Sequence, residues 1–184
     1  MEQNVLRKSL WNTASIAGLA LGGVSILYLV WSQLITNGNV HTEPTTTIKV
    51  FSFLVWALKL VGCVLLMKFF MKKFFNGTPG LDRSHVFKMG MATAFLSALV
   101  YATAYLVNML YISPEYFSEV YSVALTDMEK YMDQNAKANI NDIINSLPKI
   151  MFFWNLLYCF IFGTILSALL SRSFPKRNPF QELM

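Results

Sequence analysis

The sequence predicts an all-α integral membrane protein: a bundle of four transmembrane helices, with an extracytoplasmic amphipathic helical insertion between helices 3 and 4. Two observations carry this. First, 55% of the residues are hydrophobic and only 14% are charged, which is outside the usual composition of a soluble globular domain. Second, the apolar residues gather into four runs, each close to the roughly 20 residues a helix needs to cross hydrocarbon. The runs cover residues 13–34, 48–71, 88–111 and 149–170. They are continuous and lack the alternation of a barrel strand, and in lipid only helices and closed barrels satisfy their own backbone. The whole chain, 1–184, therefore reads as a single membrane domain.

Taken in order, the first run follows Arg7 and Lys8, as the apolar part of a secretory signal would. It is too long for one, and its far end, "SQLITNGNV", has no small-x-small cleavage site. The next connection, "TNGNVHTEPTTT", is a short external loop with Gly and Pro punctuation. Its His41 reads as a solvated residue and not a metal ligand, because the other histidine, His85, is assigned to the opposite face of the membrane. The loop "KKFFNGTPGLDRSH" combines interface anchors, Lys72, Lys73, Phe74 and Phe75, with turn signals, and places Ser84 to cap the third helix.

Residues 112–148 are more than a helix connection needs. Ser113, Pro114 and Glu115 make a helix start: a capping hydroxyl, a proline preset for the first turn, and an acid at the positive end of the dipole. Phe117, Val120, Tyr121, Ala124, Met128, Tyr131 and Met132 then recur at steps of three and four, the spacing of an amphipathic helix. A weaker helix runs through Ile140, Ile143, Ile144 and Leu147 and breaks at Pro148, which starts the fourth span. This pair either lies on the membrane or covers the outer ends of the spans, or else it docks a partner. Its acids are not arranged as metal ligands, and no histidine joins them.

Ten of the fifteen basic residues, including Lys68, Lys72, Lys73, Arg83, Lys88 and Arg172, fall on the side of the termini. The positive-inside rule then makes both termini cytoplasmic. The opposite side carries Glu43, Glu115, Glu119, Asp127, Glu129, Asp133 and Asp142, so the net charge of +5 is polarised across the membrane and implies no nucleic acid partner. Cys63 and Cys159 lie inside spans and read as small helix-packing residues, not as a disulfide framework.

Small residues recur every four positions: Gly18 and Gly22 on the first span, Gly90, Ala94, Ala98 and Ala102 on the third, Gly163 and Ser167 on the fourth. Such stripes let helix backbones approach closely, within one bundle or across a homodimer.

Lys59 is the one charge near the middle of a span. It lies about eleven residues, roughly 16 Å, inside the outer boundary, and no Asp or Glu occurs in any of the four runs. A central charge costs roughly 2.5 to 3.5 kcal/mol on the insertion scale. Three outcomes are open: Lys59 snorkels outward, sheds its proton, or lines a polar cavity with Tyr105, Asn108, Asn155 and Tyr158, with Gln33 nearby at the outer end of the first span.

The four spans, the run "LYISPEYFSEVYSVALTDMEKYM" and the tail "RNPFQELM" together resemble a Bacteroidetes-type four-span membrane protein family, domain of unknown function 4199. That family more often has Asp where Ser113 stands, which keeps the capping role. The resemblance implies an inner-membrane protein of a Gram-negative bacterium and supplies no catalytic residue.

The chain lacks the paired-histidine, serine-nucleophile and acidic-cluster patterns of intramembrane enzymes, and Lys59 has no positioned partner for acid–base work. The expectation is a non-catalytic accessory or scaffold subunit, without metal or cofactor, that contacts the lipid bilayer and either a membrane protein partner or its own copy. The alternative is a small conduit for an anion or lipid headgroup using Lys59.

Overall fold

A computed structural model describes residues 2–36, 46–78, 81–129 and 140–175. The loop with His41, the residues Lys130, Tyr131, Met132, Asp133 and Lys137, and the tail with Lys176 and Arg177 lie outside the described residues. Among the described residues there is no strand. The helices are α1 (Glu2–Thr36), α2 (Thr46–Gly77), α3 (Arg83–Val107), α4 (Pro114–Glu129) and, labelled α5 here, Ile140–Ser171. Four segments are long and apolar enough to cross a membrane: Leu6–Ile35, Thr46–Gly77, Arg83–Ile112 and Ser146–Ser171. Each outlasts its apolar run, because a helix once nucleated extends cheaply into flanking polar residues.

Three local features depart from the sequence expectation. The cap of α3 is Asp82 and not Ser84: Asp82 is extended, with φ −113° and ψ 176°, and its carboxylate accepts the His85 backbone N–H at 3.1 Å. The ring of His85 folds onto the same oxygen, with Nδ1 at 2.6 Å. Burial pushes the Asp82 carboxyl up, but the bonds from the His85 backbone and ring outweigh it and hold the group below its ordinary value. Ser84 falls one residue inside the helix, too late to serve the first-turn donors.

At the opposite end, α3 passes into a wider π turn, Asn108–Ile112, closed by the Ser113 N–H donating to the Asn108 carbonyl at 2.9 Å. Helix α4 then begins at Pro114 with Glu115 in its first turn. The third departure is at Pro148, which does not separate two helices. It lies inside the continuous α5. Proline removes one main-chain donor and crowds the preceding turn, but other backbone bonds hold the helix on both sides, and such residues are tolerated where neighbouring turns compensate.

Helix α3 is the centre of the bundle, packed against α5 on one side and α1 on the other, while α2 lies mainly on α1 and touches α3 and α5 sparingly. The small-residue stripes lie at the two main contacts. A Cβ on Gly22 would sit 2.7 Å from a Val100 methyl of α3, and one on Gly163 2.6 Å from Ala94 Cβ, so each glycine allows a close backbone approach. Across the α3–α5 contact, the buried Ser167 hydroxyl donates to the Phe87 carbonyl at 3.1 Å.

The tightest packing is at the end that bears the termini. There Met67, Met71 and Phe74 of α2 close against Ala17 and Leu21 of α1 and Val86 and Met89 of α3, with Leu166, Leu170 and Phe174 alongside. Further out, Val50, Phe51, Phe53, Leu54 and Leu58 of α2 face outward. Helix α2 is nearly as apolar on one face as on another, so no polar stripe dictates which face turns inward.

Candidate functional site

The loosening of α2 toward its outer half leaves a cavity of about 160 Å³ inside the bundle, directly beyond the methionine core. All four spans contribute: Leu21 and Ser25 from α1, Lys59, Cys63 and Met67 from α2, Ala94, Ser97 and Tyr101 from α3, and Tyr158, Cys159 and Phe162 from α5. The wall residues Trp56, Tyr158 and Phe162 are also exposed on the outside of the molecule, so the cavity reaches the surface between α2 and α5.

Lys59 is thirteen residues into the 32-residue α2, close to its midpoint. Its ammonium lies over the ring of Tyr28 from α1, 4.5 Å from the centroid, and 5.4 Å from the ring of Tyr101 on α3. A desolvated cation–π contact is worth about 2 kcal/mol, so the two rings offset much of the roughly 2.5 to 3.5 kcal/mol cost of a central charge. No carboxylate lines the cavity among the described residues.

The polar cluster expected around Lys59 is divided. Tyr158 shares the cavity with Lys59. Tyr105 lies one turn beyond Tyr101, their rings 6.3 Å apart, and packs edge-on to Phe117 of α4 at 5.4 Å. Asn108 is buried at the start of the π turn, with its side-chain amide nitrogen unpaired among the described residues, as is that of Gln33. Asn155 returns its amide to its own helix, donating to the Met151 carbonyl at 2.8 Å. Neither asparagine lines the Lys59 cavity. The reason is depth and not helical phase: Asn108 is seven residues beyond Tyr101 and Asn155 one turn beyond Cys159, on the same faces as those cavity residues but roughly 10 Å and roughly 6 Å further out along their helices.

Sequence reasoning missed Tyr28 and Tyr101, and assigned Cys63 and Cys159 to packing alone. Both cysteines are free thiols and both face the cavity. A usable signal was present: Lys59 with Cys63, and Ser97 with Tyr101, are polar pairs four apart, hence on one face of their helices. Among the described residues, no three His, Cys, Asp or Glu side chains gather as metal ligands would.

A second concavity, open and larger, lies at the end bearing the termini, where Asp82, Arg83, Ser84 and Phe87 at the start of α3 meet Ser171 and Arg172 at the close of α5. Its two arginines stand where span meets headgroup.

Fold and site together define a multi-pass helical membrane protein with a lysine held among aromatic rings inside its bundle. Residues 17–172 match the family described as Protein of unknown function (DUF4199), and the chain belongs to that family. No curated protein and no solved structure matches it significantly.

Proposed function

We propose that the protein is a non-catalytic accessory or scaffold subunit of a bacterial inner membrane, with both termini cytoplasmic, α4 outside, and another integral membrane protein as its partner. One observation carries this reading. Helix α2 is bound into the core through Met67, Met71 and Phe74, but along its outer half Phe51, Phe53, Leu54, Trp56 and Leu58 are all exposed. Within a membrane, helices associate through van der Waals contact, and large aromatic side chains such as the stacked Phe53 and Trp56 supply contact area. A partner helix laid along this half would cover it.

The test places a photo-crosslinking residue at position 53, and separately at the exposed Leu19 of α1, in the full-length protein in its native membrane. The expected result is one stoichiometric adduct with a different membrane protein from position 53 and none from position 19. An adduct with a second copy alone, or none at either site, rejects the reading.

A second reading, passage of an anion, is favoured by one observation, the cation that faces a cavity with no carboxylate in its wall. Anion flux into vesicles carrying the protein, abolished by Lys59→Met, would support it; no flux rejects it.

A further inference from the structure

We infer that the Lys59 cavity is a binding site for the carboxylate of a single-chain amphiphile, a fatty acid, whose tail leaves between α2 and α5. Charge complementarity is the first argument. Lys59 brings a cation close to the middle of a span, its contacts there are the faces of Tyr28 and Tyr101, and no wall residue among those described carries the opposite charge. A ring face is a partial counter-charge that leaves the ammonium hydrogens available. Ser25, Ser97 and Tyr101 add hydroxyls to the same wall, and a carboxylate accepts from several donors at once.

Size selects among lipid anions. The cavity holds about 160 Å³, and a protein cavity near 150 Å³ accommodates one benzene. That is room for a carboxylate and its first few carbons. A glycerophosphate group, with two chains attached at its glycerol, does not fit.

An apolar surface for the tail lies next to the cavity. An apolar groove of about 390 Å³ runs along the outer side of α5, lined by Trp154, Leu157, Tyr158, Ile161, Phe162 and Ile165. It shares Tyr158 and Phe162 with the cavity, so these two rings are all that stands between the head site and the groove, and a tail would pass beside them. A polar end in the bundle and an apolar end along α5 match the two parts of one fatty acid. The site deepens the anion reading and is independent of the accessory one: absence of flux rejects passage and leaves the site intact, while absence of fatty acid binding rejects the site and leaves passage of a smaller anion to the flux measurement.

The experiment uses the full-length protein in phosphatidylcholine vesicles, with Trp56 kept as the sole tryptophan and Trp11, Trp31 and Trp154 replaced by Phe. A fatty acid brominated in mid-chain is titrated in, and quenching of Trp56, which stands at the cavity mouth, is followed. Saturable quenching is expected, with an apparent affinity at least tenfold weaker for the methyl ester of the same acid and at least tenfold weaker for the acid in Lys59→Met. The ester comparison needs no variant, so the inference stays testable if Lys59→Met fails to fold. Equal quenching by acid and ester overturns the inference. So does tighter saturable quenching by phosphatidylglycerol with brominated chains.

Discussion

At the end that bears the termini, Met67, Met71 and Phe74 of α2 are enclosed by α1 and α3, and Ser167 of α5 is bonded to the α3 backbone. At the other end of the same helix, Phe51, Phe53, Leu54 and Leu58 face outward, and a cavity separates α2 from α5. The two halves of α2 have similar chemistry, so composition does not explain the difference. Small residues on the neighbouring helices do. Gly90 lets Ser167 and Met71 approach α3 at the tight end. Beyond it, Tyr28, Tyr101 and Lys59 fill the space between α1, α2 and α3 with bulky polar groups. Close packing needs small residues in lipid, where no hydrophobic drive forces helices together; where the residues are large and polar, the bundle stays open and acquires a site.

The sharpest contrast is expected between Met71→Ala and Leu58→Ala, two deletions of similar size on one helix. Met71 is 0% exposed and Leu58 is 73% exposed. Thermal unfolding in mild detergent should show a loss of about 2 to 5 kcal/mol for the first, the usual cost of a cavity in a packed core. For Leu58→Ala the loss should stay within about 0.5 kcal/mol. Equal losses would mean that Leu58 is covered as closely as Met71.

A glycine pair probes the same contrast from the opposite direction, by adding an atom. At Gly90 a Cβ would press on Ser167 and come within 3.1 Å of Met71 Cε, whereas at Gly62 it would meet nothing within 4 Å. Gly90→Ala should therefore cost about 1 to 3 kcal/mol through overpacking. Gly62→Ala should be neutral, or slightly stabilising through the better helix propensity of alanine. If Gly90→Ala unfolds no earlier than Gly62→Ala, the α3–α5 contact is not what closes this end.

The smallest effect expected is that of the α3 cap. Asp82→Ala should cost about 1 kcal/mol, the usual worth of an N-cap. The His85 bonds hold the Asp82 carboxyl below its ordinary value of 3.8. A carboxyl depressed by folding contributes fully above its unfolded value and loses that contribution as pH falls through the lower folded one. Unfolding of the native protein should therefore show an added acid sensitivity below about pH 4, missing from Asp82→Asn, which keeps a capping oxygen without the charge. The same acid sensitivity in both proteins would assign it to another group.

Much of this architecture was legible in the chain. Four apolar runs give four spans because hydrocarbon leaves the backbone no other partner, and Pro114 with Glu115 begins α4 because both suit a first turn. The misread features are those where two local signals compete. Asp82 and Ser84 are both capping residues two positions apart, and which one caps depends on where the chain turns out of its loop. Pro148 is a helix breaker by itself, yet the apolar sequence after it and the helix before it keep one continuous rod. The π turn at Asn108–Ile112 has no distinctive sequence, being one residue's shift in the bonding ladder.

The site was half legible. Lys59 identified itself, since a lone charge in an apolar run is conspicuous whatever surrounds it. Its neighbours were only partly legible: Cys63 shares the Lys59 face, but α2 is otherwise nearly as apolar on one side as on another and has no continuous stripe to orient it. Span number, span length, the sites of close approach and the presence of a lysine deep in a span follow from composition and spacing, properties that act along the chain. Which face of α2 turns inward, and so why Tyr28 and Tyr101 receive the Lys59 side chain, was decided by packing, whereas Asn108 and Asn155 lie too far out along their helices to line the cavity. The rotation of a helix about its own axis is a balance among all the neighbours it touches.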